Sequence, residues 1–106
     1  MNCSSIVFHQ NRFGKSERCT FQDAVHLTFG NVALLLSRHQ VAELESYLET
    51  IIKSESAIDD RDNRCLYLPT KDHTLMFVMS YHELIDLNEI IEHTLLMWEV
   101  DELLNH

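Results

Sequence analysis

Two stretches of this chain repeat one order of apolar and polar positions. Residues 32–41 read Val-Ala-Leu-Leu-Leu-Ser-Arg-His-Gln-Val, and residues 75–84 read Leu-Met-Phe-Val-Met-Ser-Tyr-His-Glu-Leu. Each stretch consists of an apolar run, a serine and the beginning of an amphipathic segment. Self-similarity at a fixed offset is typical of a repeated structural unit. The pattern therefore predicts an internal repeat whose two copies span residues 25–54 and 65–97.

The serine of each copy has the sequence context of a helix N-cap. Ser37 is followed three residues later by Gln40, which is the spacing of a capping box. Ser80 is followed at the same spacing by Glu83. Apolar residues then recur at the spacing of one helical face, which predicts an amphipathic helix in each copy. In the first copy these residues are Val41, Leu44, Leu48, Ile51 and Ile52.

A β-hairpin is predicted upstream of each serine. Residues 25–29 alternate in polarity, the dipeptide Gly30-Asn31 suits a two-residue turn, and the next five residues are apolar. Glycine at the first position of such a turn favours type II′. Residues 65–68 and 74–79 form the corresponding pair in the second copy. We therefore expect an α+β fold, a duplicated β-β-α unit, with a four-stranded antiparallel sheet and two helices on one face.

The inner strands of this predicted sheet, residues 32–36 and 74–79, are apolar at nearly every position. Continuous apolar character indicates burial on both faces, so we expect these strands side by side at the centre of the sheet, related by an approximate twofold axis. We expect a single domain over residues 1–106, with a connecting loop at residues 53–64. The N-terminal segment, residues 1–21, or a second copy of the protein would then cover the open face.

The C-terminal helix carries more apolar residues than a single core-facing stripe requires. At ~1.5 Å per residue it would also be longer than the strands on which it packs. We therefore expect its last turns to pack against another chain, most simply in a homodimer. The residues of this predicted interface are Leu96, Trp98, Val100, Leu103 and Leu104.

The composition is that of a globular protein with an excess of acidic residues. The net charge is −9, and residues 72–106 contain eight acidic side chains but no lysine or arginine. Such a surface repels phosphate backbones, so we expect no nucleic-acid partner. It suits a basic protein partner, a solvated face, or internal pairing with Arg12, Lys15 and Arg18. No apolar run reaches the ~20 residues of a membrane span, and the N-terminus lacks a secretory pattern, so we expect a cytoplasmic protein.

Candidate chemistry is limited to one group of side chains near the N-terminus. Cys3, His9, Cys19 and His26 are residue types that bind zinc, but their separations match no zinc motif. In a cytoplasmic chain the cysteines are otherwise expected to be reduced thiols. Residues 82–86, His-Glu-Leu-Ile-Asp, resemble the zinc-peptidase pattern HExxH, but a capping box explains the glutamate. We therefore expect neither an enzyme nor a bound cofactor.

The stretch Leu-Thr-Phe-Gly-Asn-Val-Ala-Leu-Leu-Leu-Ser (27–37) and the second helix start, Met-Ser-Tyr-His-Glu-Leu (79–84), resemble a family of short bacterial domains of unknown function. The resemblance covers about residues 19–97. Because that family has no assigned activity, the resemblance implies no catalytic residue. We expect a non-enzymatic interaction or regulatory module that self-associates. The alternative is a small-molecule or metal-binding protein that uses the N-terminal cysteines and histidines.

Overall fold

The computed structural model describes residues 5–19, 23–70 and 74–104 of the chain. The strands along these residues are β1 (Ser5–Gln10), β2 (Gly14–Cys19), β3 (Val25–Phe29), β4 (Val32–Leu36), β5 (Leu66–Pro69) and β6 (Met76–Met79). The helices are α1 (Arg38–Ser54), between β4 and β5, and α2 (Tyr81–Leu104), after β6. Neither described helix combines the length and the apolar character needed to cross a membrane.

The first four strands form one antiparallel sheet in the order β1-β2-β3-β4, and β5 and β6 form a separate two-stranded sheet. The α+β class and a four-stranded antiparallel sheet are therefore confirmed. The predicted strand order is wrong, because the N-terminal segment contributes β1 and β2 to the sheet instead of covering one face. β4, predicted at the sheet centre, is an edge strand that is not hydrogen-bonded to β6. The order strand–strand–helix occurs twice along the chain, and the duplication itself stays a prediction.

β2 joins β1 to β3 although its sequence, Gly-Lys-Ser-Glu-Arg-Cys, is polar. The turn before it is closed by Asn11, whose side-chain oxygen accepts hydrogen bonds from the N–H groups of Phe13 and Gly14 at 2.9 and 3.2 Å. A Cβ atom at Gly14 would lie 2.2 Å from the carbonyl oxygen of Thr28. Glycine therefore allows β2 to begin close against the end of β3.

The β3–β4 turn and both helix starts agree with the sequence. Gly30 has a φ of +56°, and no non-glycine residue in the described ranges has a positive φ, which matches a type II′ turn. Ser37 Oγ accepts a hydrogen bond from the Gln40 N–H at 3.2 Å, and the Gln40 side chain accepts one from the Ser37 N–H at 2.9 Å. Ser80 and Glu83 form the same reciprocal pair at 3.1 and 2.9 Å. Both predicted capping boxes are confirmed.

α2 packs across β1 and β2, while α1 packs on α2 and contacts β4. A β-bulge between Val7 and His9 brings two consecutive side chains of β1 into contact with α2. The Phe8 ring lies 6.2 Å from the Trp98 ring. His9 Nε2 lies 2.8 Å from a carboxylate oxygen of Glu89. The first strand and the last helix are therefore joined by both apolar and polar contacts.

Trp98 lies in the core of the subunit and has no exposed surface. Its ring contacts Phe8 and also the guanidinium of Arg18, which lies 5.2 Å from the ring centroid. Arg18 in turn donates to Asp101 at 2.8 Å. The prediction that Trp98 packs against another chain is therefore wrong. The reason is the wider sheet: β1 and β2 extend it beneath this part of α2 and cover the indole.

Candidate functional site

An apolar cavity of about 430 Å³ lies where the four-stranded sheet, the β5–β6 hairpin and α1 meet. The sheet and the hairpin share no backbone ladder, so side chains alone bridge them. The Phe29 and Phe77 rings meet edge to face with their centroids 5.5 Å apart. The apolar residues that line the cavity are Leu27, Phe29, Leu34, Leu36, Leu44, Leu68, Pro69, Phe77, Met79 and Leu87.

The polar part of the lining comes mainly from α1. Gln40, Glu43 and Tyr47 are spaced i, i+3 and i+7, so they lie on one face of that helix. Glu43 Oε1 is 3.2 Å from His39 Nε2, whose side chain is almost fully exposed. Thr70 adds a hydroxyl after β5, and no lysine, arginine or histidine of the described ranges lines the cavity. The described lining is thus apolar except for these side chains, and Glu43 contributes its one carboxylate.

The sequence predicts the walls of this cavity only as core positions. The continuous apolar character of β4 and β6 predicts that these two strands pair with each other at the centre of one sheet. In the structure the two strands belong to different sheets, and inward side chains such as Leu34 and Phe77 face a shared space instead. The apolar runs of β4 and β6 were the signal that could have identified the site. Apolar residues on an edge strand that pairs with no further strand indicate a cavity or a binding surface.

A second concavity, of about 650 Å³, lies at the beginning of α2 and is polar. Arg64 donates to both carboxylate oxygens of Glu83, at 2.9 and 2.8 Å. Arg12 donates to Asp86 at 2.8 Å. The hydrogen bond from Arg64 lowers the pKa of the Glu83 carboxyl, against the opposing effect of burial. The charged side chains of this cleft are therefore largely paired with one another.

The residues that resemble a zinc-peptidase motif lie in this polar cleft. His82 Nδ1 is 2.7 Å from a carboxylate oxygen of Asp62. Glu83 is held by Arg64 and by the capping box, and Asp86 is held by an arginine of the β1–β2 turn. These bonds tie the loop before β5 and the β1–β2 turn to the first two turns of α2. The geometry explains these residues as a structural network.

The candidate metal ligands do not converge in the part of the chain that the structure describes. Cys3 lies outside the described residues. The His9 ring faces α2 and stacks on the His93 ring at 4.2 Å. His26 alternates with the buried Leu27 along β3 and therefore points to the opposite face. Cys19 is disulfide-bonded, so the expectation of a reduced thiol is wrong there.

No group of three or more His, Cys, Asp or Glu side chains within residues 5–19, 23–70 and 74–104 could hold a metal ion. Cys65, the remaining cysteine, is free and exposed. The metal-binding alternative therefore has no support from the described geometry.

Two of the three basic residues that were predicted to pair with the acidic helix do so in the structure. Arg12 does so in the polar cleft, and Arg18 pairs with Asp101 further along α2. Lys15 instead pairs along its own strand, with its Nζ 2.6 Å from Glu17. That hydrogen bond is the main cause of a lowered pKa at the Glu17 carboxyl. Part of the acidic charge of α2 is thus neutralised internally.

The last turns of α2 expose a second apolar surface, here named the α2 stripe. Its residues are Leu96, Met97, Val100, Leu103 and Leu104. Leu96 is 55% exposed and Leu103 is 74% exposed. The buried face of the same segment contains Ile91, Thr94 and Trp98. Four of the five predicted interface residues are therefore accessible on the outer side of the helix, and Trp98 is not.

The fold and its concave sites define a small α+β domain with an independent β-hairpin and an apolar cavity beside it. The chain belongs to a Family of unknown function (DUF6686), whose model matches residues 1–104. The match includes the region, about residues 19–97, whose motifs resembled a family without an assigned activity. No curated protein and no solved structure matches the chain significantly.

Proposed function

We propose that this protein is a non-enzymatic interaction module that self-associates through the α2 stripe. The observation that carries the proposal is the large exposed apolar area at the end of α2. Leu96, Val100 and Leu103 follow one another at i, i+4 and i+7 and form a continuous ridge. Contiguous apolar surface of this kind marks interaction sites more often than scattered single residues do.

Symmetry favours a second copy of the chain as the occupant of the stripe. Two identical helices that cross about a twofold axis present the same residues to each other, so both sides of the interface would be apolar. Two acidic side chains on this part of α2 have intramolecular partners: Asp101 pairs with Arg18, and Glu102 pairs with Arg38. Glu99 lies beside the stripe, is exposed, and has no ion pair among the described residues. We expect Glu99 to lie at the rim of the dimer interface, where water solvates its carboxylate.

The non-enzymatic part of the proposal rests on how the titratable side chains are used. In the polar cleft His82 is hydrogen-bonded to Asp62, and Arg64 is hydrogen-bonded to Glu83. Among the described residues, one carboxylate lines the apolar cavity, and a lone carboxylate is not by itself a catalytic arrangement. If the module is regulatory, we expect it to act by binding another protein. The cytoplasmic location stays a prediction.

Size-exclusion chromatography with light scattering tests self-association directly. We expect the wild-type protein to be dimeric at tens of micromolar, on the scale at which weak specific dimers form. Leu96→Gln should raise the dimer dissociation constant by about tenfold or more, because each dimer loses two buried leucines.

Leu35→Gln is the matched control, because Leu35 is 56% exposed on β4 and Leu96 is 55% exposed on α2. It should leave the dissociation constant unchanged. A monomeric wild-type protein would contradict the proposal, and so would equal weakening by both substitutions.

A further inference from the structure

We propose that the apolar cavity between β4, the β5–β6 hairpin and α1 binds a small amphiphile with a hydrocarbon body and a cationic or neutral hydrogen-bonding head, such as an alkyl amine or an alcohol. This site is separate from the α2 stripe and does not depend on self-association. The argument has three parts: the volume of the cavity, the chemistry of its walls, and the charge in its lining.

The volume is that of a ligand site. A cavity of about 430 Å³ lies within the range of small-molecule sites. Phe29 of the sheet and Phe77 of the hairpin both line it and meet edge to face.

The walls favour a hydrocarbon body and are largely fixed before a ligand binds. Phe29 is stacked on Phe13, with ring centroids 5.0 Å apart and planes 20° apart, and it also meets Phe77 edge to face. Leu34 and Leu36 project into the cavity from alternate positions of β4. Preformed apolar walls reduce the conformational entropy that a ligand must overcome on binding.

The head group is selected by the polar face of α1. Gln40 contributes its side chain to the helix cap, so it is already engaged. The Thr70 hydroxyl donates to the Leu75 carbonyl oxygen at 2.9 Å. Glu43 and Tyr47, one helical turn apart, are then the groups placed to meet a ligand head, and Glu43 is shared with the exposed His39. No basic side chain of the described ranges lines the cavity, and the whole chain carries a net charge of −9. Of the described lining, the Glu43 carboxylate disfavours a carboxylate or phosphate head and accepts a hydrogen bond from an ammonium or a hydroxyl head.

Three probes with the same alkyl chain separate these head groups: decylammonium, decan-1-ol and decanoate. Binding is measured from chemical-shift changes of the leucine and methionine methyl groups in the full-length protein, below the micelle concentration of each probe. We expect decylammonium to bind best and decanoate worst. A preference of about threefold to fivefold corresponds to an exposed charge pair.

Glu43→Lys tests the role of the carboxylate, and the expected result is an inverted order in which decanoate binds best. Glu49→Lys is the matched control. It makes the same change in net charge on the same helix, outside the cavity lining, and should keep the wild-type order. An unchanged order in Glu43→Lys, or the same inversion in Glu49→Lys, would overturn the head-group assignment.

Leu34→Phe tests the site itself, because the larger side chain takes up part of the cavity. It should weaken binding of all three probes without lowering the midpoint of thermal unfolding, since partial filling of a cavity commonly stabilises a protein. Failure of every probe to bind the wild-type protein at millimolar concentration would overturn the proposal. Loss of the dimer in Leu34→Phe would also overturn it, because that result would assign the cavity to a second copy of the chain.

Discussion

The hydroxyl oxygens of Ser16 and Thr94 lie 2.6 Å apart where β2 meets α2, and both residues are fully buried. Thr94 Oγ1 is also 2.5 Å from the carbonyl oxygen of Ile90, one turn earlier in the helix. Each hydroxyl has a single proton. Because the Ile90 carbonyl can only accept, Thr94 donates to it and Ser16 donates to Thr94. The pair satisfies both hydroxyls and joins residues that are 78 positions apart in the chain.

A double-mutant cycle on this pair should show unequal and non-additive losses. Thr94→Val leaves the buried Ser16 hydroxyl without an acceptor and should lower the free energy of unfolding by about 1–3 kcal/mol. Ser16→Ala leaves Thr94 bonded to Ile90 and should cost under about 1 kcal/mol. The double variant should be no less stable than Thr94→Val alone. Urea unfolding at neutral pH measures all three, and strictly additive losses would contradict this assignment of donors.

Trp98→Ala should destabilise the subunit and not only an interface. Removing a fully buried indole is expected to lower the free energy of unfolding by about 3–5 kcal/mol. Leu103→Ala is the control on the same helix, because Leu103 is largely exposed, and its effect on a monomeric sample should stay within about 0.5 kcal/mol. Chemical unfolding at low protein concentration measures both. Equal unfolding free energies of the two variants would contradict the burial of Trp98 inside the subunit.

The two glycines should differ in their response to alanine. Gly14→Ala places a Cβ atom against a backbone oxygen, so the strands themselves must move. Gly30→Ala meets no atom and costs only the positive φ, on the order of 1 kcal/mol. The expected unfolding midpoint is higher for Gly30→Ala than for Gly14→Ala, and the reverse order would contradict the close approach of β2 and β3.

The stability of the protein should fall in acid partly through Glu83. Because Arg64 lowers the pKa of Glu83 in the folded state, the unfolded chain binds more protons between the two pKa values. The stabilising contribution is therefore complete above the ordinary glutamate range and is lost as the pH falls through the folded pKa. Glu83→Gln should flatten the decline in unfolding free energy below about pH 5.

Glutamine at position 83 can retain the capping box, as Gln40 does on α1, so the helix start should persist in this variant. Glu99→Gln, at an exposed carboxylate of α2 without an ion pair among the described residues, is the matched control for the change in charge. An identical slope in the wild-type protein and Glu83→Gln would show that the Arg64 pair does not contribute to the pH dependence.

Short-range features of this fold could be predicted from the sequence. The two capping boxes and the Gly30 turn depend on residues within four positions of one another, and all three were predicted. β1 and β2 were missed as strands of the sheet because the inward positions of β2 are Ser16 and Arg18, which hide the usual apolar alternation. Their partners, Thr94 and Asp101, lie on α2 far along the chain.

The same limit explains the candidate site. The cavity depends on two apolar strands that do not pair, and this is a property of the whole fold that neither strand reveals alone. The α2 stripe, in contrast, follows from the excess of apolar residues on one helix. Trp98 was predicted on the interface side of the helix but lies on its buried side. The strands that bury it, β1 and β2, were not predicted as part of the sheet.

The absence of a ladder between β4 and the hairpin also determines how the two sheets are held together. Separating β5 and β6 from the four-stranded sheet would break side-chain contacts, such as Phe29 against Phe77, and no hydrogen bond of either strand ladder. Because Leu68 and Met79 of the hairpin are buried, the separation would expose apolar surface to water. The two sheets are therefore joined by the hydrophobic effect and not by backbone pairing.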